Sequence, residues 1–440
     1  MVSLPSIASG YAMPSLNDQT GKSSLRIAVV GGGAAGMTAS YYLGLRHRVD
    51  LFEAAPKLGG HVQTVMAKDG NNRDLPVDMG FIVFNDRTYP HFNRLLQKLG
   101  VQSAPTDMSF SYSEPHTGFA YAGTGLSGLF ARRANIIDPS FWRMLLAVTK
   151  FCKNITRDLE NNRLAHATLG RYLIENRYPK ILMSRYLGPM VQAIWSAESG
   201  TPEDFPLDRF VRFFFNHGLL SVRGGPTWFY IPGGSHSYVH AFERSFKGNI
   251  RTSCPVQSVS RSASGPELKI NDQHLRYDAV VLACHADTAL SLLADPDEDE
   301  KNCLGPWRYV ANDVVMHTDP SFLPANPRAW ACWNVIADAE KRNEKVSVHY
   351  WMNLLQRFEA AKNYVVTLNP RRPVSQHSTL QRLAMSHPQF TVAALKTQAQ
   401  FDRLQGSRST YYCGSYHGNG FHEDAAASGV RVAELLGVEP

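Results

Sequence analysis

Leu25-Arg26-Ile27-Ala28-Val29-Val30-Gly31-Gly32-Gly33-Ala34-Ala35-Gly36 is the stretch on which the reading of this chain turns. A short β-branched run of this kind suits a buried parallel strand. It passes directly into glycines spaced G-x-G-x-x-G, at Gly31, Gly33 and Gly36. Small and apolar residues then continue from Met37 to Leu45 as a helix would, and Val49-Asp50-Leu51-Phe52-Glu53 reads as a second strand ending in an acid. In such a unit the first glycine permits a tight turn, the second lets backbone approach a pyrophosphate, and the third lets helix and strand pack closely. Ala34 and Ala35 open the helix, whose unpaired N–H groups and positive dipole end face the phosphates. Glu53 is placed to accept hydrogen bonds from an adenosine ribose and disfavours a 2′-phosphate.

Working outward, Ala54-Ala55-Pro56-Lys57-Leu58-Gly59-Gly60-His61 supplies a second glycine doublet soon after the ribose acid. Nicotinamide dehydrogenases lack such a doublet, so the dinucleotide expected here is FAD. Asp78-Met79-Gly80-Phe81 follows at the end of the same region.

With the glycine turn, Glu53, Gly59-Gly60 and Asp78-Met79-Gly80-Phe81, the chain resembles the FAD-dependent amine oxidase and phytoene desaturase superfamily. A narrower resemblance rests on Asp78 to Pro90, on Thr106-Asp107-Met108-Ser109-Phe110-Ser111 and on Gly420-Phe421-His422-Glu423-Asp424. It is to FAD-binding oxidoreductases encoded beside cyclopropane-fatty-acid-synthase-like methyltransferases, and it runs over nearly the whole chain from residue 25. The resemblance implies FAD contacts from Ala54, Lys57, Gly80 and Phe81, and from the backbone of Val256 toward the adenine. It implies further contacts from Gly414, Ser415, Gly420 and Phe421 near the ribityl chain and the flavin N1 edge. Most relatives carry an arginine at the position of His61; here the resemblance makes this residue a neutral donor to the phosphates, with covalent flavin attachment as the other reading. Relatives often place an acid where this chain has Ser415, so a hydroxyl or backbone contact replaces it.

The fold expected is α/β with an α+β second domain. A doubly wound, Rossmann-like FAD-binding domain is assembled from residues 24–95, 225–295 and 400–440. A substrate domain of antiparallel sheet and helices takes residues 96–224 and 296–399, and residues 1–23, rich in Ser, Pro and Gly, form a flexible tail. Cys254 to Val259, Glu267 to Ile270 and Asp278 to Cys284 read as strands returning to the nucleotide domain. Asp295 to Lys301, with five acids in seven residues, reads as a solvated loop. Tyr411 to Ser415 reads as a final strand and His422 to Leu436 as a final helix.

Trp330 to Val335, Val346 to Leu354 and Tyr364 to Leu368 alternate as antiparallel strands do. They bring forward Trp333, Tyr350 and Asn353 as candidate substrate contacts in an aromatic-walled pocket. His417 and His422 are candidates for a proton-transfer pair beside the flavin; the alternative is that one caps the final helix and the other bonds FAD. No metal is expected, because no third ligand of standard spacing accompanies them. From 139 to 157, Phe141, Leu145, Val148, Cys152 and Ile155 recur at helical spacing, while Arg143, Lys150, Lys153 and Arg157 form a basic face. Such a helix either packs on a domain with its charges solvated or docks on anionic lipid or an acyl carrier.

The 440 residues suffice for about three domain-sized units, and 44% hydrophobic residues are ordinary for a globular chain. A formal charge of +7 with 19% charged residues argues against disorder and against a nucleic-acid binder. No apolar stretch reaches the about eighteen residues a membrane helix needs. The six cysteines are scattered singly, without a Cys-x-x-Cys pair, and no secretory signal is evident, so a cytoplasmic location, peripheral to membrane if anything, is expected.

The activity expected is FAD-dependent removal of a hydride from a carbon of an apolar, fatty-acyl-like substrate, of desaturase or dehydrogenase type. Oxidation of a C–N bond in an amine or amino acid is the first alternative. A non-catalytic flavin-binding partner of a methyltransferase is the second. The expected partner is a small or lipid-like apolar molecule.

Overall fold

The computed structural model describes residues 24–440 apart from 71, 162, 165–167, 196–201, 221–224 and 338–346. The expected tail, 1–23, and Val346 at the start of one expected strand lie outside the described residues. Two units emerge. One takes the chain through Gly60 with Phe242–Trp307 and Val392–Pro440, and the other takes His61–Ala241 with Arg308–Thr391.

The first unit is built on the glycine turn. Arg26–Val30 forms the central strand of a five-stranded sheet whose order is Asn249–Arg251, Arg48–Phe52, Arg26–Val30, Ala279–Leu282, Thr410–Tyr412, with every pairing parallel. Ile27, Ala28 and Val29 are fully buried, as a strand covered on both faces requires. The helix Ala34–Leu43 leaves the turn, and the helix His422–Leu435 packs on it so closely that a Cβ at Gly429 would meet the Ala35 carbonyl at 2.6 Å. A separate antiparallel sheet joins Ser258–Ser262, Gly265–Ile270 and Gln273–Arg276. Cys254–Gln257 is irregular, which corrects the expected strand at Cys254 to Val259: pairing begins only at Ser258.

The acidic run corrects a second expectation. It is not a solvated loop but leads into the helix Glu298–Leu304, with Asp297 as its N-cap and Glu300 closing a capping box. Glu300 is only 1% exposed. Its oxygens accept from Arg261 Nη1 at 2.5 Å, Arg408 Nη2 at 2.8 Å and the Tyr412 hydroxyl at 2.6 Å. Despite the burial that opposes ionisation, the hydrogen bonds from Arg261 and Tyr412 hold its pKa below the ordinary value. This pairing, together with Trp307 Nε1 donating to Thr397 Oγ1 at 3.0 Å, draws 296–307 and 392–399 into the first unit rather than the substrate domain.

The second unit contains a seven-stranded sheet in the order Thr379–Gln389, Arg308–His317, Val365–Leu368, Val348–Trp351, Trp333–Ile336, Phe110–Glu114, Phe119–Ala122. Its pairings are antiparallel except that of Trp333–Ile336 with Phe110–Glu114, which is parallel. One face is apolar, with Val335, Val348 and Val366 packed against Met144, Met352 and Tyr364. The opposite face carries polar pairs, among them His317 Nε2 and His349 Nδ1, both within 2.9 Å of the Thr367 hydroxyl. Residues 61–95 and 225–241 belong here and not to the nucleotide unit, because Thr64–Asp69 pairs with Arg73–Asp78 and Trp228–Tyr230 bridges Val83–Asn85 to Ala104–Thr106.

Glu300→Ala leaves Arg261, whose side chain is wholly buried, with only Asp295 as a carboxylate partner. We expect a loss of about 3 kcal/mol, in the range for breaking a buried ion pair, measured by urea unfolding; a loss under about 0.5 kcal/mol would show the network to be incidental.

Candidate functional site

Three glycines occupy three physically different positions in the turn. Gly31 has φ +110°, and a Cβ there would lie 2.6 Å from the Ala283 carbonyl on the adjoining strand. Gly36 faces the Gly31 carbonyl too closely for any side chain. Gly33 has φ −76°, and a Cβ there would meet nothing within 4 Å. The fold therefore demands Gly31 and Gly36, whereas at Gly33 the backbone borders open space, as a surface meant for a ligand would. Met37 N is the first helical amide to bond back, to Gly33 O at 2.9 Å, so the amides of Ala34, Ala35 and Gly36 are left at the helix start.

Glu53 is fixed from two sides: its Oε2 accepts from Gly32 N at 2.7 Å and its Oε1 from Ala55 N at 2.7 Å. Each oxygen keeps acceptor capacity for a ribose hydroxyl. Gly59 N donates to Gly32 O at 2.9 Å, and a Cβ at Gly60 would sit 3.3 Å from Gly33 Cα, so the doublet packs on the turn. Ala54 and Lys57 are exposed beside it. Val256 lies in the irregular stretch after Cys254 N bonds Glu53 O at 2.9 Å, leaving its backbone outside any strand ladder.

The loop from Gly414 to Phe421 is held from beneath. Gly414 N donates to Ser428 Oγ at 2.9 Å, and Gln398 Nε2 donates to the carbonyls of Tyr416 and Gly418 at 2.9 and 2.6 Å. Ser415 O accepts from Gly420 N at 3.1 Å, and Gly420 turns with φ +91°. The helix start is closed by Asp424, whose Oδ2 accepts from Phe421 N at 2.8 Å. This corrects the reading in which a histidine caps that helix. His417 stacks on Phe401 at 4.5 Å, and burial lowers its pKa to about 3. A ring held neutral in this way is a weak base and no acid, so the proton-transfer pair of His417 with His422 is not carried forward.

In the second unit, His61 stacks on His387 at 5.4 Å, and His387 Nδ1 lies 3.1 Å from Asn312 Nδ2, which Asn369 supports in turn through Asn312 Oδ1. His61 O accepts from Phe81 N at 3.0 Å, and Gly80 approaches that carbonyl too closely for a Cβ. Asp78 is fully buried and accepts from Thr64 Oγ1, from Ser235 N and Oγ, and from Gln356 Nε2. Burial pushes its carboxyl up to about 7, against the hydrogen bonds from Thr64 and Ser235. Sequence reasoning missed Ser235, Gln356, His387 and Gln398. None stands in a motif, and Ser235 and Gln356 come from 157 and 278 residues away along the chain.

On the apolar sheet face, Trp333 and Tyr350 are register partners with rings edge to face at 4.9 Å. Asn353 is not on the sheet. It lies in the short helix Met352–Leu355, where it clamps a turn, donating to Lys362 O and accepting from Tyr364 N, both at 2.8 Å. Alternation ends at Trp351 because Met352 N turns to bond Tyr364 O. Among the described residues no cluster of His, Cys, Asp and Glu could hold a metal.

The model of flavin-containing amine oxidoreductases matches residues 34–436. The chain belongs to this family, and FAD is its cofactor. The Gly33 cradle, the helix amides and Glu53 fit the pyrophosphate and ribose of that group. A carotenoid phi-ring synthase of Streptomyces griseus is 26% identical over 332 residues, which is 69% of this chain and 59% of that protein. A zeta-carotene desaturase of Zea mays is 38% identical over 80 residues, 18% of this chain and 13% of that protein. Among solved structures, a CLA-producing fatty acid isomerase from P. acnes superposes with TM-score 0.65 at 14% identity, covering 93% of this chain and 98% of that one. A putrescine oxidase bound to putrescine does so with TM-score 0.68 at 13% identity and the same coverage. These likenesses establish the fold of the flavoprotein.

Gly33→Val should lower flavin content at least about tenfold, by absorbance of the purified protein, while the flavin-free chain melts as before, since a Cβ there meets nothing within 4 Å. Retained flavin would remove Gly33 from the site. A second expectation concerns pH. The folded pKa of Asp78 is raised, so its contribution to stability is present below pH 4 and lost as pH rises through about 7. Thermal melting of Asp78→Asn should lack that component, and the wild-type and variant melting temperatures should diverge between pH 4 and 7; parallel curves would contradict it.

Proposed function

We propose that this flavoprotein removes a hydride from one carbon of an apolar, lipid-like substrate, to the flavin, and a proton from the neighbouring carbon, to solvent, to form a double bond. The observation that supports the reading is the sheet face of the second unit. Trp333 and Tyr350 stand on it partly exposed, beside the buried Val335, Val348 and Val366, and no lysine or arginine occurs on Phe110–Glu114, Trp333–Ile336, Val348–Trp351 or Val365–Leu368. A small carboxylate substrate would need a cationic clamp, because an unpaired charge in a dry site costs several kcal/mol. An acyl or polyene chain instead gains about 0.8 kcal/mol per buried methylene. The names of the phi-ring synthase and the carotene desaturase point to polyenes, and that of the fatty acid isomerase to a long acyl chain that ends in a carboxylate.

FAD, when bound, supplies the hydride acceptor. The chain's own residues hold and orient. Gly33 and the helix amides take the pyrophosphate, Glu53 the ribose, and Ser415 with the Gly414 to Phe421 loop the ribityl side. Trp333 and Tyr350 exclude water from the substrate and align its chain. His61 acts here as a noncovalent donor to the phosphates, set in orientation by its stack on His387. The helix Pro139–Glu160 carries Arg143, Lys150, Lys153 and Arg157 exposed, a positive charge that draws an anionic lipid source toward this part of the protein.

Anaerobic titration tests the proposal. Long-chain acyl lipids or polyenes should bleach the flavin absorbance, while putrescine and amino acids leave it unchanged. Tyr350→Ala should slow bleaching by the apolar donor about tenfold, the effect of losing one buried aromatic contact. Rapid bleaching by a primary amine with lipids inert would establish C–N oxidation, the activity that the family description and the putrescine oxidase likeness favour.

A further inference from the structure

Water-exposed apolar side chains are not spread evenly over this protein. Among the described residues, five of the eleven large exposed hydrophobics fall between 126 and 146: Leu126 is 76% exposed, Ile136 54%, Ile137 83%, Trp142 44% and Leu146 70%. They form one surface. Trp142 Nε1 donates to Ile136 O at 2.8 Å, its ring lies 5.8 Å from that of Phe130, and Phe130 N bonds Leu126 O at 3.0 Å. Leu146 follows Trp142 by one helical turn. A monomer surface rarely exposes so concentrated an apolar patch without using it.

The charge around the patch is one-sided. From 126 to 157 there are six basic residues and a single acid, Asp138, which serves as the helix N-cap and lies 3.4 Å from Arg132. Arg133 and Arg143 are exposed beside the apolar side chains. Along the outward face of the helix Pro139–Glu160 the character changes from Trp142 and Leu146 to Lys150, Lys153 and Arg157. The inward face, Phe141, Met144, Ala147, Phe151 and Ile155, is spent on the core. This helix therefore cannot lie flat with an apolar stripe in the membrane, as free amphipathic helices do.

We propose that the segment Leu126 to Leu146 is an end-on anchor for an anionic bilayer surface. Ile136, Ile137, Trp142 and Leu146 enter the headgroup boundary, and Arg133 and Arg143 meet the lipid phosphates. The proposal deepens the lipid-substrate reading but does not rest on it, since docking is measured without turnover. A second copy of the chain is the poorer occupant, because each patch would bring its cations against the other's.

Vesicles of phosphatidylcholine, with and without phosphatidylglycerol, provide the test. The flavin-loaded protein should sediment with anionic vesicles and far less with neutral ones, and brominated acyl chains should quench an emission component that Trp142→Phe removes. Ile137→Glu with Leu146→Glu, and separately Arg133→Gln with Arg143→Gln, should each weaken binding about tenfold or more, with flavin content and circular dichroism unchanged because all four side chains are exposed. Three results would overturn the proposal. They are wild-type protein left in the supernatant at low salt, full binding by the Ile137/Leu146 variant, and a dimer in sedimentation velocity that this variant dissolves.

Discussion

Backbone meets backbone at Gly31 and Gly36, and everything in the nucleotide unit is arranged around that approach. The carbonyl of Gly31 lies where a Gly36 side chain would be, and the carbonyl of Ala283 lies where a Gly31 side chain would be. Strand, turn, helix and neighbouring strand thus converge with no side chain between them. That convergence leaves the helix amides of Ala34 to Gly36 at the carboxyl ends of two adjacent parallel strands, the place where open α/β sheets bind ligands. Glu53, the doublet Gly59-Gly60 and the close seat of Gly429 are all positioned by reference to this turn.

The second unit fixes a polar ring in direction by other means. The side chain at position 61 is an imidazole stacked on His387, whose ring lies beside Asn312, itself supported by Asn369. A polar group held in direction by packing supplies an oriented dipole that needs no reorganisation when a charged group arrives.

What could be read from the sequence was whatever is local. The turn, the acid that follows it and the three strands of the substrate sheet lie within short windows whose periodicity or spacing is decisive. Glu300 could not be read, because the arginines that bury it stand at 261 and 408, and five acids in seven residues otherwise signal solvent. Asn353 continued an alternation that the backbone breaks at Met352 to close a turn on Tyr364. Asp78 was visible as part of a motif, but its donors Thr64, Ser235 and Gln356, and hence its elevated pKa, come from tertiary structure. The helix at 139 showed its periodicity, yet which of its apolar residues face the core was settled only by packing: Met144 and Ala147 are buried, while Leu146 is not.

The ion-pair knot at Glu300 has a consequence for the order in which the molecule is made. It joins a residue of the strand Ser258–Ser262 to one at 408 and one in the edge strand Thr410–Tyr412, while the helix at 422 to 435 supplies the cover for the glycine-turn helix. Along the chain the glycine turn at 31–36 is separated from the closing strand Thr410–Tyr412 by the whole of the second unit. The second unit, whose last strand ends at Gln389, is complete earlier. Because Gln389 precedes Thr410 along the chain, every strand of the second unit's large sheet is synthesised before the ion-pair knot of the first unit can close.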